Sequence, residues 1–257
     1  MNTYLEFISD EDLLKAIDTL YRTYANSFKE KTLKQLNKNI IDPFKFQFDT
    51  IFLNGGKAEK TLNSEIFRQS DKSIANAIGL FHQQLLGSIA GFVETPDLPC
   101  DVKKCDNTIF AEVKNKHNTM NVRSTAGVYE ELEGIAKSNP NAMCYLIEIV
   151  AKKSSDEVWK PTINEKTYQH PRIHKISADR FYELATGDKY AFYKLCKALP
   201  KAARDYLESN LALHELGATS DGNAYSELKN NAIEDQIDIF DEMFKYALPD
   251  YQGFKEE

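Results

Sequence analysis

Apolar residues recur at helical spacing along some stretches of the chain and run together or alternate in others. Leu13, Leu14, Ile17, Leu20 and Tyr21 fall on one helical face behind Ser9, a residue suited to cap a helix start. A second helical stretch is expected from Ser27 to Asn37, and Asp42-Pro43 marks a break. Phe44, Phe46, Phe48, Ile51 and Phe52 then form an aromatic cluster of the kind that fills a core, followed by a loop at Asn54-Gly55-Gly56. The longest periodic segment is Glu65 to Ile89. Ile66, Phe67, Ile74, Ala77, Ile78, Phe81 and Leu85 make its apolar stripe, while Glu65, Gln69, Lys72, Asn76 and Gln83 share the opposite row with Gly79. A glycine there costs about 1 kcal/mol relative to alanine. Either another backbone approaches closely at Gly79, or the row is a solvated face.

From Asp97 to Met120 the pattern changes to short strands. Asp101 to Lys103 reads as one strand, Cys105 to Asn107 as a turn and Thr108 to Lys114 as a second strand. Thr125 to Ser138 is an amphipathic helix stopped before Pro140. Ala142 to Ala151, AMCYLIEIVA, is an almost unbroken apolar run, as a strand covered on both faces would be. Glu157 to Trp159 reads as a further strand and Arg172 to Ile176 as an edge strand. Ser177 is placed to cap a helix that ends at Gly187. Two helical pieces are expected on either side of Pro200, from Tyr190 to Ala198 and from Lys201 to Leu213. After a loop at Thr219 to Asn223, the last helix runs from Tyr225 to Leu248, with Leu228, Ile233, Ile237, Phe240 and Phe244 inward. The order is that of an α/β fold, a central mixed β-sheet flanked by helices, with helical N- and C-terminal additions. We expect a single domain over residues 1–257, divided into a helical part at 1–60, a core at 61–187 and a second helical part at 188–257.

Composition narrows the class. At 257 residues, 42% hydrophobic and 28% charged, the chain has the make-up of a globular protein. It contains no apolar run long enough to cross a membrane. The first residues, MNTYLEFISDEDLL, lack the basic and apolar regions of a secretory signal, which leaves the cytoplasm as the expected location. Four scattered cysteines suit a reducing compartment and show no zinc spacing. The net charge of −7 is unevenly spread: Glu215 to the end carries 11 acidic and 3 basic residues, whereas Asp101 to Arg204 carries 18 basic and 13 acidic ones. A nucleic-acid cleft on the middle of the chain is therefore permitted.

The chemistry concentrates in the Asp97–Met120 stretch. Two carboxylates and a lysine at the end of a buried strand are costly unless they have a use. Cleaving a phosphodiester requires an activated water and neutralisation of developing negative charge, which a divalent ion held by hard oxygen ligands supplies. Asp101 and Glu112 offer carboxylates and Val113 its carbonyl. Strand alternation puts Lys114 on the face of Glu112, where it can orient or deprotonate water, or stabilise the transition state. Asp97 is the rival to Asp101 for the first ligand, although its neighbourhood is bracketed by prolines and pairs poorly as a strand. Asp106 is then a turn residue. Alone, a Glu-x-Lys triplet on an exposed hairpin is common.

The continuation Asn115 to Asn121 makes the triplet less ordinary. The string EVKNKHNTMN, Glu112 to Asn121, resembles the signature of a group of type II restriction endonucleases of the PD-(D/E)xK superfamily that cleave GGNCC or GGWCC sites. Arg68 to Gly87, RQSDKSIANAIGLFHQQLLG, and Ile176 to Pro200, ISADRFYELATGDKYAFYKLCKALP, are similar to the same group. The resemblance implies a restriction-endonuclease-like core in which Asp101 and Glu112 bind Mg²⁺ and Lys114 is the catalytic lysine. It implies Glu65 as an auxiliary carboxylate, double-stranded DNA as partner, and a homodimer matched to a palindrome. The superfamily's usual proline before the aspartate is Cys100 here. Base or phosphate contacts are expected from Lys116, His117, Asn118, Asn121 and Arg123 beyond the triplet, and from Lys72 and Gln83 on the polar helix row. Asn118 and Asn121 could instead satisfy their own backbone. A repair or junction nuclease of the same fold, or a non-catalytic DNA-binding module, is the other reading.

Overall fold

The computed structural model describes residues 2–29, 37–210 and 230–254, apart from 239, 240, 243, 244 and 246. The chain divides into two compact units, one of residues 1–17, 79–214 and 218–257 and one of residues 18–78 and 215–217. Their boundaries fall inside two helices, α1 (Asp10–Ser27) and α3 (Ala58–Gly87). Most of the expected helix over Ser27 to Asn37, the loop at Thr219 to Asn223, and Leu228, Phe240 and Phe244 lie outside the described residues.

The first unit is built on a six-stranded mixed sheet. Its strands are β1 (Phe92–Glu94), β2 (Val102–Lys104), β3 (Ile109–Lys116), β4 (Met143–Val150), β5 (Asp156–Val158) and β8 (Ile173–Ser177), in the order β1-β2-β3-β4-β8-β5. The hairpin side, β1-β2-β3, is antiparallel, β3-β4-β8 is parallel, and β5 closes the far edge antiparallel to β8. A separate small hairpin joins β6 (Thr162–Ile163) to β7 (Lys166–Thr167). The sequence pattern is silent on β1, β6 and β7, which have two or three residues each and carry no periodicity to detect. It also misplaces β8, which is an interior strand. His174 and Lys175 gave it an edge-like polarity, but His174 meets Asp156 of β5 at 2.6 Å and Lys175 faces β4.

Helix α4 (Val122–Ser138) covers one face of the sheet. Val128, Tyr129, Leu132, Ile135 and Ala136 pack there on Phe110, Cys144, Leu146 and Ile173, with Trp159 edge-on to Tyr129. Arg172 caps the end of α4 by donating to the carbonyls of Ala136, Asn139 and Ala142. Helices α5 (Ala178–Thr186) and α6 (Ala191–Ser209) supply the other layer, with Phe181 against Phe92 and Tyr145. Gly187 ends α5 in the left-handed conformation, as its place in the sequence suggests. Ser177 stands at the cap position, but its hydroxyl donates to Asp179 instead of receiving a helix N–H.

Helix α6 corrects the expected break at Pro200. It runs through the proline as one element, because Ala191, Phe192, Leu195 and Cys196 before it and Ala202 and Tyr206 after it belong to one buried stripe. The C-terminal segment is likewise not one helix among the described residues. A turn with Gln236 at φ 55° interrupts it, Ile233 is 64% exposed, and Tyr251 accepts from Ala151 N–H and donates to the Ile149 carbonyl.

In the second unit, α2 (Pro43–Phe52) begins where a break was expected. Asp42 caps it, accepting from Phe44 and Lys45 N–H, and Pro43 sits at its first position. The expected aromatic core there is overturned. No residue of α2 is buried, and Phe44, Phe48, Ile51 and Phe52 are all more than half exposed. Helix α3 is longer than the pattern suggests. Ile74, Phe81 and Leu85 are buried as expected, whereas Phe67 is exposed. A Cβ built on Gly79 meets nothing within 4 Å, so no close backbone approach among the described residues explains that glycine. At Gly87 it would lie 2.6 Å from the Glu94 side chain and 2.9 Å from its backbone nitrogen, and there glycine is required.

Candidate active site

The hairpin β2-β3 brings three of the sequence-selected side chains together. Asn107 takes a left-handed φ of 59° in the turn, and Asp106 accepts from Thr108 N–H at 3.0 Å, so Asp106 is occupied with the turn. The Thr108 bonds hold its carboxyl down at about 2. Asp101, at the start of β2, is fixed through its backbone. Its N–H donates to Ala111 and its carbonyl accepts from Thr95 N–H, both at 3.0 Å. The Thr95 hydroxyl also donates to the Cys100 carbonyl at 2.7 Å. So anchored, the Asp101 carboxylate accepts from Val113 N–H at 2.8 Å and stands beside Glu112. Asp97 is exposed in the β1–β2 connection and has no such partner among the described residues.

Glu112 and Lys114 share a face of β3 and form an ion pair. Glu112 is 13% exposed through its side chain, and its carboxyl is pushed up to about 7. Burial is the main cause and the Asp101 charge the second, against the pull of Lys114. Two carboxylates held together, one of them resisting ionisation, are a donor set for a hard divalent cation. Among the described residues no third Asp, Glu, His or Cys joins them. The residues fit an ion that keeps several positions for a main-chain carbonyl, water and phosphate, as Mg²⁺ does, and do not form an all-protein cage.

Register across the parallel strands shows what else lies on this face. Phe110, Glu112 and Lys114 align with Cys144, Leu146 and Glu148 of β4, and these with Ile173, Lys175 and Ser177 of β8. Helix α4 covers the first row, Phe110, Cys144 and Ile173. In the second row Leu146 also packs with the helix, and the rest of the carboxyl-terminal half carries Glu112, Lys114, Glu148 and Lys175. Glu148 is 5% exposed, with Lys175 3.8 Å from its carboxylate. Sequence reasoning missed both. The available signal was a glutamate inside the apolar run AMCYLIEIVA.

The remaining candidates occupy varied positions. Lys116 ends β3, and His117, Asn118 and Arg123 are exposed just after it. Asn121 caps α4, its side-chain oxygen accepting from Ser124 N–H at 2.9 Å, so a structural role accounts for it. Gln83 is half-buried on α3. Glu65 and Lys72 belong to the second unit. There Glu65 holds Arg68 through both oxygens and accepts from Gln69 at 2.9 Å, which keeps its carboxyl below the usual range.

A family model described as Eco47II restriction endonuclease matches residues 5–208. The chain is 35% identical over 247 residues to the type II restriction enzyme Sau96I of Staphylococcus aureus, covering 92% of this chain and 94% of that enzyme. It is 32% identical over 217 residues to the type II restriction enzyme Eco47II of Escherichia coli, covering 80% and 90%.

Proposed function

Since the chain belongs to the Eco47II restriction endonuclease family, and is thus a type II, sequence-specific DNA endonuclease, we propose that it cuts both strands of DNA at a short palindromic site of the GGNCC or GGWCC kind. The reaction is hydrolysis of a phosphodiester, with Mg²⁺ held by Asp101, Glu112 and the Val113 carbonyl. The observation that carries this reading is the pinned Asp101 beside a largely buried Glu112 that pairs with Lys114 on the same strand face. Bound there, the ion supplies a Lewis acid to the scissile phosphate and lowers the pKa of water.

The chain's own groups do the rest. Val113 N–H and the backbone bonds of Asp101 fix one carboxylate before any ligand arrives, which lowers the cost of assembling the site. Glu112 would hold the ion as its carboxylate, any proton it carries passing to solvent. Lys114, paired with Glu112 on the same face, would then be free to orient the attacking water and offset charge on the phosphate oxygens. Lys116, His117, Asn118 and Arg123, exposed beside this centre, contact phosphate or base edges, with Asn121 setting the start of α4 behind them. Lys72 and Gln83 contribute further DNA contacts, and Glu65 is an auxiliary carboxylate acting through its hold on Arg68. Two copies related by a two-fold axis cut one strand each. The protein works in the bacterial cytoplasm, and no helix among the described residues is long and apolar enough to cross a membrane.

A plasmid digest with Mg²⁺ and sequencing of the ends tests the activity: one fixed palindromic motif is expected. Glu112→Ala should abolish cutting. In Ca²⁺ the unmodified protein should bind the site without cutting it. Mg²⁺-dependent cutting by Glu112→Ala sinks the mechanism.

A further inference from the structure

The sheet face that carries the cleavage site holds a second carboxylate–lysine pair, and its position gives it a task. Glu148 is aligned with Lys114 on the neighbouring parallel strand, about 4.8 Å away across the sheet, with both side chains on one face. The residue as a whole is 5% exposed. Among the described residues its charged partner is Lys175, at 3.8 Å, too far for a hydrogen bond. A glutamate inside an apolar strand, answered by a lysine only at that distance, offers its oxygens to a cation arriving on the same face. Lys114, meanwhile, is paired with Glu112, one of the groups the cation would use.

We propose that Glu148 is a positioning residue for Lys114: it receives the ammonium when a divalent cation takes Glu112, and Lys175 balances its charge while Lys114 is elsewhere. This rests on the assignment of Asp101 and Glu112 as ligands. The ion and Lys114 compete for the same carboxylate, and a second carboxylate one strand away turns that competition into an exchange. The ammonium is moved sideways along the sheet and kept on the site's face. It is not driven into solvent. Without Glu148, the displaced ammonium, whose side chain is 28% exposed, would turn to solvent and leave the site's face.

Calcium binding, measured by isothermal titration without DNA, tests this independently of cleavage. Glu148→Gln should weaken Ca²⁺ binding about tenfold, the equivalent of 1.4 kcal/mol. Lys114→Ala removes the competitor and should not weaken it, and the double variant should bind like Lys114→Ala alone. An unchanged affinity in Glu148→Gln overturns the proposal. So does an equal loss in the Lys114→Ala background, which would mean that Glu148 acts on the ion directly. Retained Ca²⁺ binding by Glu112→Ala overturns the ligand assignment, and this proposal with it. Should Glu148→Gln not fold, a crystal structure of the unmodified protein with Ca²⁺ decides. Lys114 Nζ within about 3.2 Å of the Glu148 carboxylate is expected, and Nζ remaining on Glu112 refutes the exchange.

Discussion

Replacing Glu112 by glutamine should stabilise the metal-free protein, and the gain should depend on pH in a defined direction. The Glu112 carboxyl titrates near its ordinary 4.5 in the unfolded chain and near 7 in the fold. Between those values the folded protein holds a proton that the unfolded chain has released. Stability is therefore lost as pH rises through the window: the penalty is absent below about 4.5 and complete above about 7. At 1.36 kcal/mol per unit it amounts to about 3 kcal/mol. Glutamine keeps the shape and cannot ionise, and because the penalty is already net of the Lys114 pull, a gain of about 3 kcal/mol is expected at pH 8. The comparison has to be made between variants, because His82 works in the opposite sense. Burial lowers its ring from 6.5 to about 4, and among the described residues Nδ1 has no hydrogen-bond partner. The fold keeps it neutral, and stability is lost as pH falls from 6.5 toward 4. In the unmodified protein the two trends offset. Urea unfolding of both proteins in chelator at pH 5, 6, 7 and 8 gives the difference directly. A gap that does not grow with pH would refute the account of Glu112.

Other substitutions probe the site and the scaffold. Asp101→Asn retains an oxygen for Val113 N–H but not the charge. Cleavage should fall about a thousandfold, several kcal/mol of lost charge stabilisation, while Asp97→Asn should cut normally in the same assay. Phe48→Lys on α2 should change the free energy of unfolding by less than about 0.5 kcal/mol, whereas Leu132→Ala under α4 should cost about 2–5 kcal/mol. Equal costs would contradict the burial difference between those two positions. Pro200→Ala restores an N–H for the Cys196 carbonyl inside α6 and should raise the urea midpoint by the equivalent of about 1–3 kcal/mol. A lowered midpoint would show that the fold depends on the proline.

The legible parts of the molecule were those written locally. The β2–β3 hairpin sits within a dozen residues, and its turn residues Asp106 and Asn107 carry their own chemistry, so Asp101, Glu112 and Lys114 could be placed side by side from the letters. The β4 run and helices α4 and α5 were equally plain, because each has a clear period or a clear stop. Contacts between distant segments were not legible. Glu148 and Lys175 reach the site only through the parallel register β3-β4-β8, which no local pattern encodes. Pro200 was read by its intrinsic preference, and the continuous buried stripe of α6 overrode it. The aromatic residues of α2 failed differently. Their hydrophobicity was plain, but hydrophobicity does not say whether the chain itself covers them.

The two carboxylates at the heart of the hairpin are unequally tethered. β3 is joined to β4 through seven aligned residue pairs, whereas β2 is joined to β3 through two. Mutual repulsion therefore acts across the seam with the fewest aligned pairs in the sheet, and an ion lying between Asp101 and Glu112 would stitch that seam shut. Amide exchange in residues 101–104 should slow markedly on adding Ca²⁺ while the β4 amides barely respond. Scarcity of the cation would then disarm the nuclease twice over, by withholding the Lewis acid and by loosening the strand that helps to hold it.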